Sequence, residues 1–556
     1  MNIKETNSLV ELFFKKLEEV DSNKSFLKWF NAKNNNHYTW KEVEEKIFKL
    51  SNKIKTIIKK GDRCLLLSEN RPEWLIADIA IMNAGGISVP IFTTYAENDY
   101  EYIIGDCSPS LLIISNNSQF KKIKKFINKK KIISFEKLES ESILLENIYT
   151  ENIEKNINHE LKRNMPACII YTSGTSGNPK GVVLSHGGIL SNCEGALKLL
   201  KPLIKKKSPV FLTWLPLSHS YEHTVQFIQI LIGAKIFYAE NLEKLISNMS
   251  DASPTIMTAV PRFYQNLFSK ININFNKESG IKKFLILKTI QLGKKILKKD
   301  ELNLTEKLIN FICNKLVRKK IQKQFGGNLQ AFISGGGALD QKIGEFLNAI
   351  GLPTLQGYGL TEASPVVSCN LPDLVKVETV GPAFSTNKIK IASDGEILIK
   401  GENVMLGYWN KIEETESILK NGWLHTGDIG ELDFEGYLKI TDRKKDIIVN
   451  MGGDNISPSK IENTLCLNEK IKQALVYGDK KNYLVAILVV EKEINQEEIK
   501  NIIENVNKDL AIIEKIKKFI ISNVEFSIEN RMLTPTLKLK RKEIIKNYKQ
   551  ELENLY

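Results

Sequence analysis

The most informative segment of the chain is Ala167-Cys-Ile-Ile-Tyr-Thr-Ser-Gly-Thr-Ser-Gly-Asn-Pro-Lys-Gly-Val-Val-Leu-Ser-His186. An apolar run enters a loop of alternating hydroxyl and glycine residues, and Lys180 stands before a second apolar run. Glycines let backbone N–H groups turn toward one point and a lysine adds positive charge, so the pattern is typical of a phosphate-binding loop. A flexible turn rich in serine and glycine would have a similar composition. The residues expected to contact phosphate are Thr172, Ser173, Gly174, Thr175, Ser176, Gly177 and Lys180.

This loop differs from the Walker loop of other nucleotide-binding proteins. Counted from Gly174, Pro179 occupies the position of the second glycine, and Gly181 follows Lys180 where Ser or Thr would stand. The sequence therefore predicts a phosphate site of another kind.

Outside the loop, strand and helix patterns alternate. Short apolar runs bounded by Gly, Pro and Asn predict strands at 64–68, 87–92 and 111–115, and a helical stretch occupies 74–83. This alternation predicts an α/β fold. After about Asp442 a compact run of residues predicts a separate small domain.

Two early helices carry start signals. Ser8 with Glu11 and Thr39 with Glu42 match the capping box, in which the first side chain and the fourth each bond to the other's backbone N–H. Apolar residues then follow at helical spacing in both segments. Both helices are therefore predicted to be amphipathic.

Composition limits the class of protein. Of 556 residues, 79 are Lys or Arg and 65 are Asp or Glu, giving a net charge of +14, but only eight of the cations are Arg. This lysine excess indicates a compositional bias on solvated faces more than a phosphate-reading surface, so we expect no nucleic-acid partner. The seven cysteines are far apart and predict reduced thiols. With no leader pattern and no membrane-spanning stretch, we expect a cytoplasmic protein.

Two lysine-rich regions lack a chemical motif. Residues 116–164 carry few apolar anchors and are predicted to be variable surface or a loose insertion. Residues 263–325 are helical in period, and we favour ordinary helices that cover the core with lysines outward. A basic amphipathic helix on the inner face of an anionic membrane is the alternative. The predicted apolar face consists of Ile281, Phe284, Leu285, Leu287, Ile296 and Leu297.

Six further motifs follow the loop in order. They are Leu215-Pro-Leu-Ser-His-Ser-Tyr-Glu222, Ser334-Gly-Gly-Gly-Ala338, Gln356-Gly-Tyr-Gly-Leu-Thr-Glu362, Gly422-Trp-Leu-His-Thr-Gly-Asp428, Asp442-Arg-Lys-Lys-Asp446 and Thr534-Pro-Thr-Leu-Lys-Leu-Lys-Arg541. With the loop, they resemble the adenylate-forming, AMP-binding superfamily over nearly the whole chain. Val260-Pro-Arg-Phe-Tyr264 and the 534–541 run are similar to its long-chain fatty acyl-CoA synthetase branch.

The resemblance implies a fold and a reaction. It implies a large N-terminal α/β domain of several subdomains, residues 1–444, and a small mobile C-terminal α+β domain, residues 445–556. It also implies that a fatty acid attacks the α-phosphate of ATP with Mg²⁺ bound, and that coenzyme A then takes the acyl group from acyl-AMP. Lys445 resembles the hinge between the domains, and the 451–455 loop beyond it would face the thiol.

The motif residues suit this chemistry. Glu362 offers a hard oxygen to Mg²⁺, with Thr361 beside it, and Thr172 is the second proposed metal ligand. Tyr358 offers an aromatic face to adenine, and Asp428 can accept from ribose hydroxyls. The other residues expected at the nucleotide are Gly336, Gly337, Gln356, Gly357, Gly359 and Arg443.

Two further roles come from the resemblance. His219 and Glu222 resemble the motif that lines the acyl pocket, and His223 falls near an expected gate to it; for His219 a structural role stays equally open. Lys538 resembles the mobile catalytic lysine, whose charge would stabilise the transition state of adenylation. Lys540 and Arg541 are competitors in the same basic run.

Three alternatives remain open at this point. The thiol acceptor could be an acyl carrier protein, or the reaction could end at acyl-AMP. A non-catalytic carrier that binds acyl chains or nucleotides is a second alternative. The third is a basic adaptor for membrane or nucleic acid, for which salt-sensitive binding without ATP turnover is expected.

Overall fold

A computed structural model describes residues 2–30, 36–127, 130–172, 178–491, 494–534 and 537–556. Its helices are α1 Leu9–Glu19, α2 Trp40–Lys55, α3 Pro72–Asn83, α4 Glu97–Cys107, α5 Asn117–Ile123, α6 Leu145–Thr150, α7 His186–Ile204, α8 Ser220–Leu231, α9 Leu245–Ala252, α10 Pro261–Lys277, α11 Gly280–Leu297, α12 Leu304–Cys313, α13 Lys319–Gln324, α14 Gln341–Ala349, α15 Ile412–Ile418, α16 Pro458–Leu465, α17 Gln496–Lys508, α18 Arg541–Asn547 and α19 Lys549–Glu553.

The strands are β1 Ser25–Trp29, β2 Asn36–Thr39, β3 Arg63–Leu67, β4 Ile87–Pro90, β5 Leu111–Ile114, β6 Lys131–Ser134, β7 Ile143–Leu144, β8 Pro166–Thr172, β9 Lys180–Ser185, β10 Val210–Thr213, β11 Lys235–Tyr238, β12 Ile256–Ala259, β13 Ala331–Ser334, β14 Thr354–Gly359, β15 Val366–Cys369, β16 Asn387–Ile391, β17 Glu396–Gly401, β18 Gly407–Tyr408, β19 Leu419–Lys420, β20 Trp423–Leu432, β21 Leu438–Arg443, β22 Ile448–Val449, β23 Asn455–Ile456, β24 Ile471–Tyr477, β25 Leu484–Val490 and β26 Ile516–Ile521.

Two eight-stranded sheets form the body of the molecule. The first has the order β15-β14-β13-β12-β10-β11-β1-β2, and its six central strands run parallel between antiparallel edges. The second has the order β18-β9-β8-β4-β3-β5-β6-β7, and its strands from β8 to β7 are parallel. The predicted α/β class is confirmed, and so are the strands at 64–68, 87–92 and 111–115 and the helix at 74–83, with ends shifted by at most two residues.

Three helices fill the space between the two sheets. Helix α3 contacts β1 of the first sheet and β3 and β4 of the second, while α7 contacts β15 and β9. Helix α8 is buried along its whole length, and every residue of α3 except Glu73 is buried. A helix covered on all sides needs apolar residues around its circumference or polar ones with hydrogen-bond partners. Helix α8 combines both kinds, although Glu222 Oε1 and His223 Nδ1 have no partner among the described residues.

A third, antiparallel sheet and a C-terminal sheet follow. Strands β16, β17, β20 and β19 pair in that order, and β21 pairs with β20. In the C-terminal sheet β24-β25-β26, alternate residues face two apolar clusters, one closed by α16 and α17 and the other by α18 and α19. This alternation is the period of two that a strand imposes, so both faces are covered.

The capping patterns differ in detail. Thr39 and Glu42 form the complete reciprocal box. The Ser8 hydroxyl accepts the Glu11 N–H as predicted, but the Glu11 carboxylate accepts from the N–H of Asn7 instead of Ser8. The Ser8 pattern is therefore an N-cap without the reciprocal bond of a full capping box.

The prediction of a loose surface for residues 116–164 is wrong over most of its length. Helix α5, strand β6 and helix α6 occupy the region, and β6 and β7 extend the second sheet. Phe120, Ile123, Ile133 and Ile148 are buried. The few apolar residues fall on the inward face of each element, which is sufficient to hold an edge of a sheet.

The predicted apolar face of residues 263–325 is also wrong. On α11 the buried residues are Ile286, Thr289, Leu292 and Gly293, whereas four of the six predicted core residues are exposed: Ile281, Phe284, Leu287 and Ile296. Apolar residues occur on both sides of this helix, so periodicity alone did not identify the inner one. Among the described residues, no helix is long and apolar enough to cross a membrane.

All seven cysteines are free thiols, and all except the partly buried Cys466 are buried, as predicted.

Candidate active site

The predicted site residues gather at one edge of the first sheet. Strands β10, β12, β13 and β14 are parallel neighbours, and the segments that follow their carboxyl ends carry His219, Gly335, Gly336 and Thr361. In open α/β sheets ligands bind at this edge, because the loops after parallel strands converge there.

One cavity joins these segments. Its polar part is lined by His219, Ser334, Tyr358, Thr361, Arg443 and Lys538. Its apolar part is lined by Ala196, Leu199, Leu200, Phe211, Val225, Ile228 and Phe384. The cavity therefore brings charged groups from the third sheet and the C-terminal domain to the same space as side chains of α7 and α8.

The polar part contains a hydrogen-bonded cluster around Asp428. The Tyr358 hydroxyl donates to Asp428 Oδ2 at 2.6 Å, and Arg443 forms an ion pair with Asp428, with Nε 2.9 Å from Oδ1. Asp428 and Arg443 are cross-strand neighbours on β20 and β21. The buried carboxylate raises the pKa of the Arg443 guanidinium, while burial and Asp428 raise the pKa of Tyr358 well above its usual value. The Asp428 carboxyl group offers the acceptor oxygens that ribose hydroxyls need.

The glycine segment after β13 lies beside this cluster. Gly335, Gly336, Gly357 and Gly359 line the cavity with Tyr358. The Ser334 hydroxyl is buried and has no hydrogen-bond partner among the described residues. A buried polar group without a partner is costly, so this side of the cavity suits a ligand with hydrogen-bonding edges, as adenine has.

Gln356 and Gly337 have a different placement from the other predicted nucleotide residues. The Gln356 side chain accepts the N–H of Leu339 at 3.1 Å, which ties β14 to the segment that carries Gly336 and Gly337. Gly337 is exposed. Gln356 therefore holds the glycine segment in place through this backbone contact. Its expected contact with nucleotide stays a prediction.

Strands β8 and β9 hold the two ends of the phosphate loop. Thr172 pairs with Lys180, and the Thr172 hydroxyl is 3.5 Å from the Lys180 carbonyl. The predicted phosphate contacts Ser173, Gly174, Thr175, Ser176 and Gly177 lie outside the described residues. The hairpin therefore fixes where the loop begins and ends.

Lys180 is paired with an acid. Its ammonium forms an ion pair with Glu414 of α15 and lies 5.1 Å from the centre of the Tyr408 ring. The Lys180 contact lowers the pKa of the Glu414 carboxyl. A phosphate that binds Lys180 has to compete with Glu414 for the same charge.

Glu362 is joined to Lys180 through the same tyrosine. The Tyr408 hydroxyl donates to Glu362 Oε1 at 2.8 Å, and Tyr408 pairs with Val182 on the strand that begins with Lys180. Because one carboxylate oxygen takes a single neutral donor and the side chain stays partly exposed, Glu362 fits the hard-oxygen donor that Mg²⁺ requires. Sequence reasoning missed Tyr408, since a Gly-Tyr-Trp tripeptide carries no chemical signal by itself.

Thr361 and His219 connect the polar part to α8. The Thr361 and Ser220 hydroxyls lie 2.9 Å apart. His219 is the N-cap of α8, where its Nδ1 accepts the N–H of Tyr221 at 3.1 Å. Burial and the Lys538 charge lower the pKa of His219 to about 4, so it is neutral at pH 7 with its proton on Nε2. His219 therefore has a structural role through one nitrogen and lines the cavity as well.

Glu222 and His223 are buried deeper in α8. Glu222 accepts from the Thr258 hydroxyl at 2.8 Å, and burial raises the pKa of its carboxyl to about 7. His223 Nε2 is 3.0 Å from Asp78 of α3, and both side chains are fully buried. His223 does not line the cavity, and its ring contacts Asp78 and Trp74 of α3. Its expected place near a gate stays a prediction.

Lys538 is the contribution of the C-terminal domain. It lines the cavity and interacts electrostatically with Arg443, Asp428 and Glu362. Lys538 is exposed by surface area, but the protein atoms around it remove much of the hydration of its ammonium group. This desolvation and the nearby Arg443 lower the pKa of the Lys538 ammonium to about 8, against the opposing effect of the two acids.

The other candidate residues of the 534–541 and 442–446 segments lie away from the cavity lining. Arg541 forms a buried ion pair with Glu462 inside the C-terminal domain, so it is not a competitor for the cavity. Lys540 does not line the cavity. Lys445 is exposed between β21 and β22, and Met451 is exposed in the turn between β22 and β23.

Two family models match the chain. One, described as AMP-binding enzyme, matches residues 14–409, and the other, described as AMP-binding enzyme C-terminal domain, matches residues 445–556. The curated protein called long chain acyl-CoA synthetase 3 from Arabidopsis thaliana is 30% identical over 581 residues, covering 93% of this chain and 86% of that protein. Long-chain-fatty-acid–CoA ligase FadD15 of Mycobacterium tuberculosis is 27% identical over 534 residues, with 90% and 88% covered.

Solved structures have the same fold. ATP-bound MatB from Rhodopseudomonas palustris matches with a TM-score of 0.75 at 21% identity over 97% of this chain and 99% of that one. O-succinylbenzoate coenzyme A synthetase (MenE) from Bacillus subtilis, in complex with ATP and magnesium ion, matches with a TM-score of 0.71 at 22% identity, covering 96% and 98%. With the Asp428 cluster, the Lys180 hairpin and a family model that spans most of its length, the chain belongs to the AMP-binding enzyme family.

Proposed function

We propose that this enzyme joins a long-chain fatty acid to coenzyme A in two steps, with ATP cleaved to AMP and pyrophosphate. The observation that carries the proposal is the single cavity in which Lys538, Arg443 and Tyr358 share space with apolar side chains of α7 and α8. Such a space suits a substrate with an anionic head and a hydrocarbon tail. The names of the relatives in Arabidopsis and Mycobacterium support the same substrate class.

In the first step, the acid oxygen attacks the α-phosphorus and pyrophosphate leaves. Two anions must meet, so the chain's own task is to hold them in line and to compensate their charge. Lys180 would bind the outer phosphates, and Lys538 would stabilise the negative charge that grows on the α-phosphate and carboxylate oxygens. Asp428 and Tyr358 would fix the nucleoside, so that the α-phosphorus stays in reach of the acid.

The Glu362 carboxylate, beside the proposed phosphate-binding residues, is a suitable ligand for Mg²⁺. Glu362, with one oxygen held by Tyr408, would hold it, and Thr172 at the start of the loop is the second proposed ligand. When bound, Mg²⁺ neutralises phosphate charge and makes pyrophosphate a better leaving group. Glu362 itself orients the site through its bond to Tyr408.

In the second step, the thiol of coenzyme A attacks the acyl carbon and AMP leaves. Lys538 has no role in that step, because no pyrophosphate departs. We propose that rotation about Lys445 withdraws Lys538 and brings the 451–455 turn to the cavity. Lys445 is an exposed residue between two short strands, which suits a position that absorbs a large backbone change.

The test is a substrate panel with two readouts. Purified enzyme receives ATP, Mg²⁺ and acids from acetate to oleate, and both pyrophosphate and thioester are measured. We expect pyrophosphate release with long-chain acids and thioester with coenzyme A. Thioester formed only with acyl carrier protein, or pyrophosphate without any thioester, would replace the coenzyme A assignment. Absence of acid-dependent pyrophosphate would identify a non-catalytic carrier.

A further inference from the structure

Glu414 of helix α15 lies between two lysines. Its Oε2 atom forms an ion pair with Lys180, and its Oε1 atom is 3.4 Å from Nζ of Lys411, which stands at the start of the same helix. Lys180 lowers the pKa of the Glu414 carboxyl most, and Lys411 lowers it as well. The other acids of α15, Glu413 and Glu416, are exposed. Glu414 is therefore an acid with two cations, one of which is expected to bind phosphate.

The backbone around Glu414 is held in place by other groups. The Thr415 hydroxyl accepts the N–H of Tyr408 at 2.9 Å. The backbone N–H of Trp409 donates to the carbonyl of Gly181 on β9 at 2.7 Å. These contacts attach the start of α15 to β9 without using the Glu414 carboxylate. The contribution of that carboxylate is therefore its charge and not support of the fold.

Lys180 has to divide one charge between its possible partners. A lysine ammonium is a compact charge on a flexible stem, so it can move from one acceptor to another. The Lys180 ammonium lies 5.1 Å from the centre of the Tyr408 ring, and the Tyr408 hydroxyl donates to Glu362, the proposed ligand of Mg²⁺. Lys180 thus contacts Glu414 directly and is separated from the proposed metal ligand by one side chain. A phosphate bound by Lys180 weakens or replaces the ion pair with Glu414.

Lys411 decides what such an exchange costs. A carboxylate that loses its cation keeps an uncompensated charge, and this opposes the exchange. Because the Glu414 side chain is 39% exposed, the cost is modest and not prohibitive. With Lys411 at 3.4 Å, the carboxylate keeps a partner after Lys180 has left. Lys411 therefore favours the exchange without touching phosphate itself.

We propose that Glu414 is a positioning residue that competes with the outer phosphates of ATP for Lys180, and that Lys411 receives the carboxylate when phosphate displaces it. Glu414 thereby weakens the binding of both ATP and pyrophosphate. It also assists the release of pyrophosphate, because it takes Lys180 back. The inference deepens the proposed function and rests on its assignment of Lys180 to the outer phosphates.

The experiment is titration calorimetry of the full-length enzyme with ATP or pyrophosphate, in Mg²⁺ and without fatty acid or coenzyme A. The measured affinities then do not depend on which acid or thiol the enzyme uses. Shifted affinities in an enzyme without acid-dependent pyrophosphate release would contradict only the proposed function. Normal turnover with affinities that no variant shifts would contradict only the inference.

Glu414→Gln removes the charge and retains the shape of the side chain. We expect the Kd for ATP and for pyrophosphate to fall about three- to fivefold, the size of a partly exposed ion pair, and pyrophosphate to inhibit turnover more strongly. Glu413→Gln is the matched control, because it makes the same change of charge in the same turn of α15 at an exposed side chain, and it should leave both Kd values unchanged.

Two results with these variants would overturn the proposal. Equal shifts in Glu413→Gln and Glu414→Gln would assign the effect to net charge. Weaker ATP binding in Glu414→Gln, with a raised Mg²⁺ requirement, would make Glu414 a ligand of the metal instead of a competitor of phosphate.

Lys411→Gln tests the second half of the proposal. The carboxylate loses the cation that receives it, so the Kd for ATP should rise about threefold. The double variant Lys411→Gln, Glu414→Gln should bind ATP as Glu414→Gln alone does, because no carboxylate remains to be received. A rise of equal size with and without Glu414 would show that Lys411 acts on phosphate directly and would overturn the exchange. Thermal unfolding near the original midpoint shows that each variant is folded.

Discussion

The polar and apolar parts of the cavity are built in opposite ways. The polar part combines side chains from β14, the turn after it, β21 and the C-terminal domain, so its residues lie far apart in the chain. The apolar part comes mainly from two helices, α7 and α8, that pack against each other between the sheets. Charged groups that act on one phosphorus atom can come from many segments of the chain. The hydrocarbon tail of a fatty acid requires only a continuous apolar surface.

This difference separates two properties of the enzyme. In the proposed reaction, side chains of the polar part compensate charge in the transition state, so changes there should act on rate. In the same proposal, side chains of the apolar part contact the tail equally in ground and transition states, so changes there should act on the choice of acid. The predictions below test this separation.

The largest effect is expected for Lys538→Ala. Loss of the cation should slow adenylation by about 100- to 1,000-fold, because one preorganised charge is removed from the developing anion. Thioester formation from supplied acyl-AMP should be nearly unchanged, since the proposed rotation withdraws the lysine before that step. Pyrophosphate release and thioester formation are measured separately.

Lys540→Ala is the matched control, because Lys540 is in the same basic run but does not line the cavity. Equal loss of both steps in Lys538→Ala, or equal effects of the two variants on adenylation, would contradict the assigned role.

Substitutions at Glu362 and Tyr408 should have the next largest effects. Glu362→Ala should reduce Mg-ATP-dependent turnover about 100-fold, because a hard-oxygen ligand is lost. Tyr408→Phe keeps the ring beside Lys180 but removes the 2.8 Å bond to Glu362, and should reduce kcat/KM for ATP about tenfold. The apparent Mg²⁺ requirement should rise in both.

Tyr437→Phe removes a similar hydroxyl bond, to the Leu374 carbonyl, outside the cavity lining. It should leave the Mg²⁺ titration unchanged. A Tyr408→Phe enzyme that titrates like this control would remove Tyr408 from the site.

The pH dependence should report Lys538 directly. Its pKa is lowered to about 8, and the protonated form is the one that carries charge, so adenylation measured as kcat/KM should fall as pH rises through about 8. Well above that value the decline approaches about tenfold per pH unit. In Lys538→Arg the guanidinium stays protonated, and this alkaline decline should disappear. An unchanged profile in Lys538→Arg would assign the decline to another group.

The smallest effect is expected in the apolar part. Phe384→Ala enlarges the cavity beside α7, where a Cβ on Gly195 would lie 2.3 Å from the Phe384 ring. It should raise kcat/KM for longer acids relative to shorter ones by about tenfold, with the KM for ATP unchanged. Phe325→Ala creates a buried cavity in another cluster and should lower thermal stability without altering the acid preference. A changed KM for ATP in Phe384→Ala would contradict the assignment of rate to the polar part and of acid preference to the apolar part.

Most of the polar part was predictable from the chain. Asp428, Tyr358, Arg443 and Lys538 converge as expected from the motifs, because these short segments resemble those of a known family. Tyr408 was not predictable, since its role depends on a strand pairing across more than 200 residues.

The apolar part and the outer helices were the least predictable features. Leu199 and Val225 look like ordinary core residues in sequence, and Ile281 and Leu287 do as well, yet the first two line a cavity and the last two face solvent. Periodicity identifies an apolar side of a helix without stating what covers it.

Residue order alone was enough to assign the α/β class, the family and the charged candidates, because phosphate and metal contacts require particular side chains at short spacings. The tertiary structure decided which apolar residues line the cavity, which glutamate contacts which tyrosine, and which leucines are exposed. The physical reason is that apolar contacts are non-directional and depend on the packing of distant segments, so a leucine has the same local pattern in a core, in a cavity wall or at the surface.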